Sequence, residues 1–252
     1  MMKRWWHYLV LGIVAWLLFL LWRLPAAVVY EMVLPDTPMP VQLTAVRGTL
    51  WEGRAQLQQG QNALANLSWD LSAAWLLAGR VAATLKVNPA EGYIDADVVV
   101  PVSGGEIAIT DLRGMLPMAA VQQHIKAIPL PLEGELTLKL DELLISAEGR
   151  PIAAEGRVVW HKAGLQMGES LALGDLQLTL TTVEKGIEGT IRDSGGPLQI
   201  NATLHLDENA SYQLQGTITP SGSTPESLRS MLSMLGQPDS QGGYPLNLSG
   251  RI

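Results

Sequence analysis

Paired carboxylates and histidines are the side chains with which this chain could perform acid–base or metal chemistry. Asp95 and Asp97, like Glu133 and Glu135, stand two residues apart in alternating stretches, so each pair projects from one side of a strand. Carboxylates so placed can share a proton or hold a cation. Asp141 and Glu142 form a third pair. Such pairs equally describe a solvated strand face, and the four histidines, His7, His124, His161 and His205, show no metal-ligand spacing. Cysteine is absent, which excludes thiolate metal sites and disulfide staples. No metal and no cofactor is expected.

A nucleophile is suggested by Asp193-Ser194-Gly195-Gly196-Pro197-Leu198, the core of the chymotrypsin-type serine motif. That chemistry needs a histidine base from upstream and a carboxylate to orient it. His7, His124 and His161 lack the Ala-Ala-His-Cys setting, and Arg192 replaces the glycine before the aspartate. Turn chemistry explains the same residues as a hairpin loop. Gly48-Thr49-Leu50-Trp51-Glu52-Gly53 has the glycine spacing of a phosphate-binding loop, yet Arg54-Ala55 stands where Lys and Ser/Thr would act. The structural reading is a turn at Gly48, a strand with Trp51 in the core, and a bulge or close backbone contact at Gly53. The chain is read as no enzyme.

The elements that position these residues follow a two-residue period punctuated by Gly, Asn, Asp and Pro. Strands are expected over 41–46, 50–57, 64–71, 81–87, 93–102 and 107–112, and again over 132–140, 143–147, 152–160, 171–182, 187–191, 198–206, 212–218 and 244–252. A helix is expected over 116–128, where Pro117 starts a three- to four-residue period. A second follows Ser223-Thr224-Pro225-Glu226, which supplies cap candidates, with Leu228, Met231, Leu232 and Leu235 on one face and Gly236 as its stop. The fold class is mainly β: an antiparallel, curved sheet with two short helices, preceded by a transmembrane helix.

The N-terminus carries that helix. From Trp5 to Trp22 only His7 is polar, and 18 residues at ~1.5 Å each give ~27 Å, close to the bilayer's hydrocarbon thickness. Trp5, Trp6 and Trp22 suit the two interfaces, Lys3 and Arg4 weight the first end positively, and Arg23 closes the second. A cleaved secretory signal is the competing reading, but the core is long and Leu24-Pro25-Ala26-Ala27 offers no clean cleavage site. A buried soluble helix would keep a polar stripe, which this run lacks. The expected layout is a cytoplasmic 1–7, a transmembrane signal anchor 8–24, a proline-containing stalk 25–40, and a β domain 41–252 with a subdomain division near 129–131.

After Arg23 the body holds all 24 acidic residues but 14 of the 17 basic ones, a formal charge of −10. Nucleic acid and anionic lipid surfaces select basic patches, so neither is expected as a primary partner. Asn-x-Ser/Thr matches at Asn66, Asn201, Asn209 and Asn247 are short motifs. A large cysteine-free body beyond an anchor fits a bacterial periplasm.

The anchor, the stalk, Gly48-Thr49-Leu50-Trp51-Glu52-Gly53-Arg54-Ala55 and Leu67-Ser68-Trp69-Asp70-Leu71 together resemble the type II secretion system protein N family. The closing segment from Met234 through Gly236, Asp239, Gly242 and Tyr244 to Gly250 is similar to that family's terminal pattern. Structural importance is therefore expected at Gly48, Trp51, Gly53, Trp69, Gly236, Asp239, Gly242, Tyr244 and Gly250. The resemblance implies a non-enzymatic inner-membrane accessory component supporting export of folded proteins across the outer membrane. Its implied partners are other inner-membrane secretion components, with the secretin a further candidate, and the phospholipid bilayer through the anchor. The alternative is an AsmA-like membrane-anchored lipid-handling protein, whose curved sheet would cradle bound lipid against its leucine ladders.

Overall fold

The computed structural model describes residues 3–33, 41–60, 62–122, 131–167, 169–234 and 236–251. The chain gathers into two compact units, Met1–Ala90 and Glu91–Ile252. The expected division near 129–131 falls where the description breaks, and the 34–40 part of the stalk lies outside the described residues.

The first unit opens with α1 (Lys3–Trp22), 20 residues that stop ahead of Pro25, and α2 (Ala26–Val33). Taking only the described residues, no helix is long and apolar enough to cross a membrane. What stands at the expected anchor is helix, with Tyr8, Leu11, Trp16, Phe19 and Trp22 exposed. Helix α2 occupies the start of the expected stalk. Four strands follow, β1 (Gln42–Gly48), β2 (Glu52–Gln59), β3 (Asn62–Ser72) and β4 (Arg80–Pro89), with α3 (Ala73–Leu76) before the last. Each pairs antiparallel with its chain neighbour. The period of two puts Leu43, Leu67, Trp69, Leu71 and Leu85 on the face that α2 covers, and Arg54, Ser68 and Lys86 on the other.

Among its described residues the second unit contains nine strands: β5 (Tyr93–Pro101), β6 (Ile107–Pro117), β7 (Leu132–Ile145), β8 (Pro151–Met167), β9 (Glu169–Val183), β10 (Gly186–Ser194), β11 (Leu198–Leu206), β12 (Ser211–Pro220) and β13 (Tyr244–Arg251). They lie in chain order, antiparallel throughout. Helices α4 (Met118–Gln122) and α5 (Glu226–Ser233) contribute to the core on one face of this sheet. Leu228 and Leu232, one turn apart on α5, are fully buried with Leu165, Leu171, Leu173 and Leu198. A smaller cluster joins Ala154, Ile187 and Leu206.

Several expectations need correction. The two strands expected over 132–140 and 143–147 are one, β7, whose register with β8 shifts between Leu140 and Glu142. Gly156 makes this possible: at φ +139°, a Cβ there would stand 2.5 Å from the Lys139 carbonyl oxygen. A bulge breaks the alternation without breaking the strand. Residues 116 and 117, expected as helix, close β6; α4 supplies five helical residues, and 123–128 lie outside the described residues. Thr224 does not cap α5. Pro225 holds the N-cap position without a side-chain bond, while the Thr224 hydroxyl donates to the Pro197 carbonyl and ties the helix approach to the β10–β11 turn. Trp51 is not a core strand residue; it lies half-buried in the bend before β2. The short helix α3 was not expected, and its four residues are too few to show a period.

Leu232→Ala should lower stability by about 2–5 kcal/mol through the lost side chain and the cavity left behind. Leu77→Ala, at a 94% exposed position, should stay within about 0.5 kcal/mol. Urea titration of the full chain in detergent, followed by tryptophan fluorescence, measures both; equal midpoints would contradict the placement of α5.

Candidate functional site

In the first unit the glycine-rich segment forms a joint between helix and sheet. Gly48 has φ +96°, and a Cβ there would lie 2.5 Å from the Glu52 carbonyl oxygen. The Thr49 amide donates to that oxygen at 2.8 Å, closing the β1–β2 turn. Gly53 is opposite Trp69 in the β2–β3 register, and any side chain on it would run into the indole. The indole Nε1 then donates to the Leu50 carbonyl at 3.1 Å. Leu50 donates its own amide to the Leu24 carbonyl at 2.9 Å, and Pro25 bridges Thr49. Trp51 stacks on Trp22, ring centres 6.1 Å apart and planes 29° from parallel. The family-like motif thus fastens the sheet corner to the end of α1. Beneath α2 lies a cavity of about 300 Å3 with wholly apolar walls, among them Val29, Tyr30, Leu43, Leu67, Trp69 and Leu85.

Of the expected anchor flanks, Lys3, Arg4, Trp5 and Trp6 fall in the first turns of α1. Trp22 ends that helix, and the Arg23 guanidinium sits over the Phe19 ring, 5.3 Å from its centre.

The closing motif of the second unit is a different construction. The Asp239 carboxylate accepts amide bonds from Gln241 and Gly243, both at 2.8 Å, and its own amide donates to the Gly243 carbonyl at 2.8 Å. Gly242 at φ +79° completes the turn, and Gly236 at φ +145° stands ahead of it. Tyr244 packs against the α5 cluster, and Gly250 lies beneath Tyr212, where a Cβ would be 2.7 Å from the phenolic oxygen. The motif sets β13 against β12 in eight consecutive pairs, from Ile218 with Tyr244 to Ser211 with Arg251, without a bulge.

The nucleophile motif is a loop. Ser194 ends β10, the Asp193 carboxylate accepts the Ile200 amide at 2.7 Å, and Gly195 at φ +83° carries the turn. His124 lies outside the described residues. His161 reaches this region for another purpose: its Nδ1 is 3.0 Å from Asp175 Oδ2, while Asp175 Oδ1 accepts the Lys162 amide at 2.8 Å. Asp175 is opposite Ser194 in the β9–β10 register, so strand β9 lies between the strands that carry Ser194 and His161. The Lys162 amide and then the His161 ring hold the Asp175 carboxyl below the ordinary carboxylate range. Lys162 itself is at φ +48°, where the β8–β9 register shifts. Spacing alone gave no sign of this pair, because the two residues meet only across the register.

The carboxylate pairs face bulged partners. Asp95 is opposite Arg113 and Asp97 opposite Thr110, the extra residue lying in the facing strand, where Asp111 is at φ +54°. Glu133 is opposite Gly164 and Glu135 opposite His161, with the extra residue again in the facing strand and Gly134 between the two acids at φ +108°. The Glu133 carboxylate accepts the Ser170 hydroxyl at 2.5 Å. Among the described residues no group of three or more His, Asp or Glu is placed to hold a metal ion.

The family model for type II secretion system (T2SS), protein N, matches residues 39–247. The chain belongs to the type II secretion system protein N family. It is 33% identical to the protein of that name from Aeromonas hydrophila, over 96% of each chain. It is 31% identical to the one from Vibrio cholerae, over 88% of this chain and 90% of the relative, and 22% identical to the one from Pectobacterium carotovorum, over 87% and 88%. No solved structure matches. Membership makes the chain a type II secretion component, and the matched span takes in both the Gly48–Trp69 joint and the Asp239 turn.

The Asp175 interactions make a pH prediction for this protein N. Its folded carboxyl titrates below the unfolded one, so their contribution is complete above the ordinary aspartate value and disappears as pH falls through the lowered value. Asp175→Asn should therefore be less stable than the parent at pH 6, and the difference should shrink below pH of about 4. Urea midpoints across that range measure it; a constant difference would mean that the Asp175 charge contributes nothing.

Proposed function

We propose that this protein N is anchored in the inner membrane by α1 with its N-terminus in the cytoplasm, and supports secretion as a periplasmic scaffold that binds other secretion components. It carries no catalytic step in this reading. The helix at Lys3–Trp22, its exposed apolar side chains and the Trp22–Trp51 joint support the anchor. A tryptophan pair at a helix end suits the headgroup level.

The observation that carries the scaffold reading is the difference between β1, an edge strand of the first unit, and β13, an edge strand of the second. At β1 the register shifts between Thr44 and Arg47, Ala45 is forced to φ +51°, and the corner is bonded back to Leu24. Bulges and covering segments are how natural sheets blunt an edge. Among the described residues strand β13 has neither a bulge nor a cover; Pro245 blunts its start, but the stretch from Leu246 to Arg251 continues in register with Leu248 53% exposed. An edge in this condition receives an added strand from a partner, through main-chain hydrogen bonds with side-chain pockets for register. The partners are the other inner-membrane components, with the secretin as a further candidate.

The lipid-handling reading is favoured by one observation, the apolar cavity under α2. In the second unit the described parts of α4 and α5 fill one end of the leucine-lined face, which supports a filled core there. Phospholipid retained by the purified full chain and lost in Leu67→Trp would raise this reading above the scaffold.

Because the chain lacks cysteine, single cysteines report cleanly. Cysteine at Asn247 or Ser249 should crosslink to a secretion component in cells, whereas cysteine at Thr44 on the other edge should not. Ser249→Pro removes an edge donor and should reduce copurification of that component and export together, while Ser194→Ala should leave export unchanged. A crosslink pattern indifferent to strand, or loss of export in Ser194→Ala, would overturn the scaffold. Carbonate extraction of α1 into the soluble fraction would overturn the anchor.

A further inference from the structure

The solvent face of the first unit holds an ordered arrangement of charge. In the register, Arg47 of β1 is opposite Arg54 of β2, Arg54 is opposite Ser68 of β3, and Ser68 is opposite Lys86 of β4. Three cations and a hydroxyl thus make one row across four strands, about 14 Å from end to end at the usual strand spacing. Two residues along, Glu52 is opposite Asp70, and Asp70 is opposite Thr84. This is a row of acids parallel to the row of cations. Both contain a like-charge pair directly opposed, an arrangement that destabilises a sheet unless something neutralises it.

The rows do not neutralise each other by contact. They stand about 7 Å apart along the strands, and among the described residues none of Arg47, Arg54, Lys86, Glu52 or Asp70 belongs to an ion pair. Between them is a concavity of about 770 Å3, lined by all five together with Ser68. In a body of formal charge −10, three cations in one row are a local exception. The occupant that relieves both rows carries a phosphate and an ammonium a few ångströms apart. A purely anionic ligand would be repelled by Glu52 and Asp70; a cation would be repelled by the arginines.

We propose that this face binds the zwitterionic head of a phospholipid, with the phosphate on Arg47, Arg54 and Lys86 and the ammonium on Glu52 and Asp70. Guanidinium groups match phosphate oxygens in forked, charge-assisted hydrogen bonds, and Ser68 offers a hydroxyl at the centre of the row. The face adjoins the bilayer because Gly48 and Thr49, next to Arg47, are joined to Leu24 and Pro25 at the end of α1. That placement rests on the anchor reading above, whereas the charge pattern does not. Headgroup contact would fix the rotation of the first unit about α1 and set the level at which it meets the membrane.

The test uses the full chain in non-ionic detergent, titrated calorimetrically with four probes: dihexanoyl-phosphatidylethanolamine, dihexanoyl-phosphatidylglycerol, dihexanoylglycerol and inorganic phosphate. The phosphatidylethanolamine should bind most tightly, the phosphatidylglycerol more weakly for want of an ammonium, and dihexanoylglycerol should give no saturable heat. The double variant Arg47→Glu, Arg54→Glu should weaken phosphatidylethanolamine binding about tenfold or more. Arg47→Lys, Arg54→Lys, which keeps the charge but loses the fork, should bind between the parent and the glutamate variant and controls for folding. Glu52→Gln, Asp70→Asn should erase the preference between the two phospholipids. Equal binding of dihexanoylglycerol, or unchanged affinity in the arginine-to-glutamate variant, would overturn the site. Inorganic phosphate bound as tightly as the lipid would overturn the headgroup assignment in favour of free phosphate. Carbonate extraction separates this outcome from failure of the anchor, because short-chain lipids reach the site whatever the topology.

Discussion

Strand pairing between chain neighbours is the constraint on which this structure depends. A buried peptide group left without a hydrogen bond costs free energy comparable to a lost bond, and within each unit every strand finds its partner in the strand just before or after it. Local pairing asks little loop-closure entropy, so long strands joined by tight turns suffice. It also restricts what the protein can offer. Each unit's sheet therefore offers faces and edges on which a partner or ligand can be met.

The points where the ladder is interrupted account for much of the rest. Register shifts occur at Ala45, at Asp111 and near Lys162, three non-glycine residues held at positive φ. At each, the extra residue turns a side chain out of the alternation. Near Lys162 the displaced backbone amide meets Asp175, and with His161 it lowers that carboxyl's pKa. At Ala45 the bulge leaves the β1 edge poorly shaped for a further strand.

The two units solve the problem of covering an apolar face differently. In the first, one short helix lies over the sheet and leaves a cavity, while tryptophans at 22, 51 and 69 lock the corner. In the second, α5 contributes two fully buried leucines and fills its end of the face. Burial of a leucine is worth roughly 1.5–3 kcal/mol, so the second arrangement favours a fixed core and the first tolerates space. The proposed scaffold, fastened to the bilayer at the first unit and offering an edge at the second, would use both arrangements.

Most of the β architecture was legible from residue order. Alternation such as Leu198, Ile200, Ala202, Leu204 and Leu206 sets a strand face by geometry alone, and turns at Asp193–Gly196 and Asp239–Gly243 follow from residues that favour tight backbone. Helix α5 was visible in its leucine spacing, and Gly48, Gly53, Asp239 and Gly250 stood out before their contacts were known. What the sequence could not show is anything that requires two strands to be aligned. The single strand β7, the His161–Asp175 pair, the cation row Arg47–Arg54–Lys86 and the tie from Thr224 to Pro197 all depend on how one element is aligned with another. The period of two determines which side of a strand a residue takes; only register, bulges and packing decide which residue of the neighbouring strand it meets there.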